Sequence, residues 1–365
     1  MKNLMRYFNY ARALSTAVAL WLAAACGTAP APQAVWLPAP QVVSGDAGYD
    51  SGVSAMYAAS AGDVLIVAGG ANFPDVPAAD GGRKAFYDYI YVYDGGGWRC
   101  AGRLPEPAAY GVGWSYGGRM VIAGGANGNG ALRKTYVIEI AGDSAVVSEC
   151  RELPCAVEQA AGTSIDGRLY MVGGIAGGVP SGRLYMLDTE SYDAGWSELA
   201  PLPEPFVQPV AAASGGRLYV WGGFDSASGS VGGRGYCYDP QRDEWTAVAG
   251  HPDGGTFTGG CALTLADGRI LCVGGVDREI FAAALQLPAE RMREYLTQPV
   301  DSYRFQRVMH IFDPAAGEWQ SAGEAACTAR AGASLVAFGD AVWLLGGELK
   351  PGIRTPENFY TADFR

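Results

Sequence analysis

The sequence predicts an all-β fold assembled from six copies of a four-stranded unit, and three observations carry that expectation. A glycine pair ends a short apolar run six times, at Gly69-Gly70, Gly124-Gly125, Gly173-Gly174, Gly222-Gly223, Gly274-Gly275 and Gly346-Gly347. The intervals between pairs are 55, 49, 49, 52 and 72 residues, a period near that of radially repeated sheets, with one long insertion. Glycine is abundant at 53 residues, and helix-period patterning is confined to one stretch, so short strands joined by turns dominate.

Each unit reads as four strands in order. The first is a run of small residues such as Ala211–Ser214, suited to a crowded inner wall. The second is the apolar run that ends in Gly-Gly. The third alternates, as in Tyr89–Tyr93 or Arg183–Leu187. The fourth carries a tryptophan at Trp98, Trp196, Trp245 and Trp319, where a repeated Trp packs neighbouring units together. Leu-Pro pairs at Leu104-Pro105, Leu153-Pro154 and Leu202-Pro203 lead into the next unit. The last unit has strands near 331–338, 341–345 and 358–364 but no fourth, while Ala34-Val-Trp36-Leu-Pro looks like an orphan fourth strand. An open sheet edge invites wrong pairing. The expected architecture is therefore a six-bladed kelch β-propeller over residues 34–365, its ring closed by the N-terminal strand pairing into the C-terminal blade.

The 72-residue interval holds the helical excursion. Residues Ala282–Tyr295 have helix-forming composition, and Pro288 suits the first turn of a helix. An insertion over about 278–300 maps to one face of a repeat fold, where it either covers a site or elaborates the surface.

Residues 1–26 read as an export signal. Lys2, Arg6 and Arg12 precede an uncharged stretch from Ala13 to Ala25, and Leu22-Ala-Ala-Ala-Cys26 resembles a bacterial lipobox. The expectation is a lipoprotein whose Cys26 is lipidated, tethered by the Pro/Ala-rich residues 27–33 to a membrane and facing the periplasm or cell surface. Seven other cysteines, an odd number with no Cys-x-x-Cys pair and several inside apolar strand-like runs, suggest buried free thiols more than a disulfide framework. Two histidines argue against a His-rich metal site. A net charge of −11 with 26 scattered basic residues excludes a nucleic-acid footprint, and an acidic substrate would need local cations.

Candidate chemistry lies just after the glycine pairs. Asn127, Asp225 and Asp277 read as turn formers. Gly346-Gly-Glu-Leu-Lys-Pro-Gly-Ile-Arg-Thr355 is richer, with an acid and two bases around a Pro-Gly turn. Glu348 and Arg354 could be presented to a channel from that turn, or form a surface ion pair.

That segment resembles the Gly-Glu-x-Lys-Pro-Gly-x-Arg-Thr stretch of the N-acetylneuraminate epimerase (sialic acid mutarotase) family. Gly274–Phe281, Ala68–Phe73 and Ala109–Val112 also resemble the family, in an order that suggests a cyclic permutation. The resemblance implies an isomerase of carbohydrate metabolism, which interconverts the anomers of sialic acid or a related α-keto sugar acid without metal or organic cofactor. It further implies Glu348 as acid–base group and Arg354 as partner of the substrate carboxylate, with Lys350, Asn72 and Tyr110 as secondary contacts. The chain departs from the family at Ala108-Ala109, Cys261 and Pro205–Gln208, where substrate contacts should differ. A sialidase or a copper oxidase lacks its required motifs here; a non-catalytic glycan-binding or protein-interaction lipoprotein is the rival reading.

Overall fold

The structure, a computed structural model, describes residues 34–364. The expected signal segment, Cys26 and the tether lie outside these residues. The fold is nearly all-β, built from short antiparallel sheets. Six of them share one four-stranded antiparallel plan, with the strands in chain order in five of the six. The first joins Tyr57–Ala61, Val64–Ala68, Tyr89–Tyr93 and Trp98–Arg103. The second to fifth begin at Val112, Ala161, Val207 and Cys261 and end at Glu149, Leu199, Val248 and Glu324. In the sixth, Ser334–Phe338, Ala341–Leu345 and Asn358–Thr361 are completed by Leu37–Ala39, with Leu37 opposite Tyr360 and Ala39 opposite Asn358. Trp36 precedes that strand; its indole N–H points at the Met309 sulfur, 3.2 Å away.

The second strand of each sheet is almost wholly buried, as in Val64–Ala68 and Arg168–Val172. A strand covered on both faces reads as a continuous apolar run, which explains why these runs stand out in the sequence. The tryptophans of the fourth strands join neighbouring sheets. Trp196 donates to Thr135 Oγ1 at 3.0 Å, Trp245 to the Ala200 carbonyl at 2.8 Å and Trp319 to the Ala249 carbonyl at 3.2 Å. Trp98 of the first sheet donates to the Pro40 carbonyl at 2.8 Å, just beyond the strand that completes the sixth.

A circuit of six backbone hydrogen bonds links the segments that lead into the first strands. Tyr110 donates to Ala55, Gln159 to Tyr110, Gln208 to Gln159, Gly259 to Gln208, Gly332 to Gly259, and Ala55 back to Gly332, at 2.7–3.0 Å. All six residues have φ between +55° and +72°. The left-handed region costs a non-glycine residue about 1–2 kcal/mol, and four of the six are not glycine. The strain is offset because each residue gains a bond to both neighbours in the circuit.

The insertion holds two helices, Arg278–Leu285 and Ala289–Leu296, then a 3₁₀ turn at Val300–Tyr303. The first begins earlier than the composition around Ala282 suggests, because Asp277 caps it, accepting from Glu279 and Ile280 N–H groups at 3.1 and 3.0 Å. Pro288 sits at the N-cap of the second. The seven described cysteines are all free, but only Cys237 and Cys272 are fully buried, and Cys100 is exposed.

Candidate functional site

The circuit of left-handed residues encircles a cavity of about 700 Å³, and all six of them line it. Much of its wall is made of small residues from the first strands and their approaches, including Ala58, Gly113, Gly162, Ala211 and Ala333. Small side chains are what leave the space open. The polar groups on the wall include Ser54, Lys84, Glu158, Gln159, Glu348 and Arg354.

Glu348 reaches the cavity because of the backbone ahead of it. Gly346 and Gly347 have φ of +51° and +100°, a turn that L side chains resist. A Cβ on Gly346 would sit 2.7 Å from the Val53 carbonyl. Gly347 donates to that carbonyl at 3.0 Å, and Glu348 exchanges backbone hydrogen bonds with Ala331 at 2.8 and 3.0 Å. Buried Arg330 secures the same corner by donating to the carbonyls of Cys327, Gly346 and Glu357 at 2.6, 2.6 and 3.0 Å.

Glu348 and Arg354 face each other in a two-stranded hairpin turned at Pro351-Gly352. Arg354 Nη1 lies 2.6 Å from Glu348 Oε2; the arginine side chain is 5% exposed and the glutamate 22%. Arg354 Nε donates to Ser54 Oγ at 2.8 Å, and the guanidinium lies 5.4 Å from the Phe73 ring centre. Burial pushes the Glu348 carboxyl above the usual glutamate range, while Arg354, the Gly352 N–H and Lys84 pull it back. A carboxyl group whose pKa is raised in this way is a better proton acceptor than an ordinary glutamate and can serve in turn as base and acid.

The other expected contacts divide. Tyr110 lines the cavity, and its hydroxyl accepts from Lys84 Nζ at 2.8 Å. Asn72 is buried outside the cavity wall. Its amide donates to the carbonyls of Gly48 and Gly52 at 2.7 and 2.8 Å, and its oxygen accepts from Tyr87 at 2.9 Å. Those bonds hold the chain beneath Ser54 and leave no donor for a ligand. Lys350 is also absent from the wall of this cavity. It donates to the Leu296 and Gln298 carbonyls at 3.3 and 2.7 Å, which ties the hairpin to the end of the second insertion helix. Asn127 lines the cavity but forms a local turn, its oxygen accepting from the Asn129 N–H at 2.8 Å.

Lys84 and Ser54 were not legible as site residues. Lys84 is one of four lysines in the chain, which is a faint signal; its contact with Tyr110 spans 26 residues. Gln159 and Gln208 look ordinary in sequence, yet both line the cavity and their side chains are bonded at 2.7 Å. The histidines also meet. His251, Asp253 and His310 place ligand-type atoms within 4.8 Å of one another, an arrangement that counting histidines does not reveal.

The family model for N-acetylneuraminate epimerase matches residues 23–147 and 151–362. An N-acetylneuraminate epimerase of Brucella suis is 39% identical over 92 residues, 23% of this chain and 24% of that protein. One from Escherichia coli strain K12 is 30% identical over 132 residues, 33% of this chain and 35% of its own. These alignments therefore span about a quarter to a third of the curated relatives. A solved structure titled "Structure of YjhT" is 27% identical, covers 55% of this chain and 60% of its own, and has a TM-score of 0.49. Because the family model spans nearly all of the described residues, the chain belongs to the N-acetylneuraminate epimerase family.

Proposed function

We propose that this protein is a mutarotase, which accelerates exchange between the α and β anomers of N-acetylneuraminate or a closely related α-keto sugar acid. The observation that carries the proposal is Glu348, a carboxyl group with a raised pKa, set in the wall of a sugar-sized cavity beside Arg354 and Lys84. Anomer exchange needs one proton moved twice. Glu348 takes the proton of the anomeric hydroxyl, and the O–H electron pair becomes the second bond of a carbonyl as the ring C–O bond breaks. The ring oxygen then receives the proton back from the carboxyl group. After rotation about the adjacent C–C bond, the reverse steps close the ring on the other face. Positioned acid–base catalysis of this kind contributes about 10²–10⁴-fold. Arg354 has Nε and Nη1 engaged by Ser54 and Glu348, so its first role is to hold Glu348. Lys84 supplies a second positive charge for the substrate carboxylate, with Tyr110 beside it.

The same proposal treats the six sheets as blades of one closed kelch propeller. The hydrogen-bond circuit and the pairing of Leu37–Ala39 with Asn358–Thr361 support it. It also places the protein outside the cytoplasm, anchored through a lipidated Cys26. Loss of the protein from the membrane fraction on Cys26→Ala tests the anchor. For the activity, NMR of freshly released α-sialic acid should show faster conversion to the β anomer with protein than without. Equal rates would return the protein to the class of non-catalytic glycan-binding modules.

A further inference from the structure

His251, Asp253 and His310 meet where the fourth and fifth sheets adjoin. His251 follows Glu244–Val248, the last strand of the fourth sheet, and His310 lies in Val308–Asp313, the third strand of the fifth. The two imidazole rings are 5.0 Å apart, centre to centre, and both pack near Phe257. They are 8% and 3% exposed, and the Nε2 atom of each has no hydrogen-bond partner. Buried polar atoms are nearly always paired, so two orphans side by side point to an ion or a water. The Asp253 side chain, 72% exposed, approaches them from the surface, with Oδ2 at 3.7 Å from His310 Nε2. That is too long for a hydrogen bond. It is close to the roughly 3.3 Å that separates two ligand atoms on a tetrahedral ion at zinc-like bond lengths. One ligand atom from each of the three residues lies within 4.8 Å of the other two.

We propose that His251, His310 and Asp253 form a site for one divalent transition-metal ion, which clamps the fourth sheet to the fifth. Two imidazoles and one carboxylate suit zinc, cobalt or nickel, whereas magnesium and calcium seek oxygen ligands. The exposed side of Asp253 leaves the remaining position to water. Ligation through His251 Nε2 puts that ring's proton on Nδ1, the atom that accepts from the Asp253 N–H at 3.2 Å. That bond therefore opens as the turn carrying Asp253 moves its carboxylate inward, and the ligand atoms close by about 1 Å to reach zinc-like bond lengths. The neighbouring cation is Arg278, whose guanidinium is held by the Val231 and Gly254 carbonyls at 3.0 and 2.9 Å; the Asp253 carboxylate offsets its charge. None of the three residues lines the cavity that holds Glu348. The ion's role is thus structural, and the proposal stands apart from the mutarotase reading. An ion bound by the folded chain alone stabilises it progressively as its concentration passes Kd.

The test is calorimetric titration of zinc into the chelator-treated full-length protein near neutral pH. Binding should saturate at one ion per chain, and the melting temperature should climb with zinc concentration. Magnesium at the same concentrations should do neither. His310→Gln and Asp253→Ala should each weaken zinc binding by about 10-fold or more, since even outer partners of metal ligands cost that much when lost. Asp253 is exposed, so Asp253→Ala keeps the question open to refutation if the buried histidine variant misfolds. Cobalt in place of zinc should give visible absorption bands that Asp253→Ala diminishes. Cys100 is the exposed thiol among the described residues, and Cys100→Ser should leave zinc binding unchanged. The proposal is overturned if zinc gives no saturable binding, if Asp253→Ala binds it as tightly as the unaltered protein, or if binding disappears with Cys100.

Discussion

Replacing Arg354 with Met tests whether the Glu348–Arg354 pair sets the pH at which the protein works. Met keeps an unbranched apolar side chain against Phe73 but removes the charge 2.6 Å from Glu348 Oε2. A pair of unit charges at that distance is worth about 1.6 kcal/mol even in fully water-like surroundings. That is a lower bound, because the arginine side chain is only 5% and the glutamate 22% exposed, and screening is weaker out of water. Burial already raises the Glu348 pKa, and Arg354 is the strongest influence opposing it. Losing the cation therefore raises it further. The ionised carboxylate is the base, so activity rises with pH through this pKa. The acid limb of the rate profile must then move to higher pH in Arg354→Met, whatever happens to the maximal rate. Anomer exchange followed by NMR across the acid and neutral range gives the limb directly. A limb that stays in place, or moves to lower pH, would refute the pairing as the control on Glu348.

Two further outcomes follow from buried polar groups. Arg330 is 2% exposed and serves three carbonyls; Arg330→Met strands them, costing about 3 kcal/mol or more and lowering the melting temperature by about 5–10 °C. A shift under about 2 °C in scanning fluorimetry would contradict this. His251 and His310 are 8% and 3% exposed, and their Nε2 atoms have no hydrogen-bond partner. Burial, the largest cause, holds the His251 pKa down at about 4 and lowers that of His310. Because the unfolded chain binds protons at the ordinary value of 6.5, stability from His251 is fully present above that pH and is lost as pH falls toward about 4, a contribution of about 3 kcal/mol. His251→Phe should flatten the fall in melting temperature across this window; an unchanged slope would show that the imidazole is not kept neutral by the fold.

The repeat was legible because each glycine pair stands where the backbone turns left-handed against a neighbouring chain, as Gly346 does against the Val53 carbonyl. The Glu348–Arg354 pair was legible for a local reason: a short hairpin places both side chains by itself. Asn72 and Lys350 follow glycine pairs just as Glu348 does. What separates them is whether carbonyls from distant segments consume their donors, and a linear pattern carries no such information. Tyr110, Gln159 and Gln208 could not be grouped from sequence, since their left-handed backbones are joined by hydrogen bonds between segments far apart in the chain. Lys84 escaped notice because its site contact, with Tyr110, forms between segments far apart in the chain.

The most direct measurement of the central claim is anomer exchange by Glu348→Gln beside the unaltered protein, on N-acetylneuraminate at neutral pH. Gln keeps the shape of the side chain but neither takes nor returns a proton. The variant should bind the sugar, by saturation-transfer NMR, with affinity close to that of the unaltered protein. Its exchange rate should fall by about 10²–10⁴-fold, the worth of a positioned acid–base group. A Glu348→Gln protein that exchanges anomers as fast as the unaltered one would contradict the account.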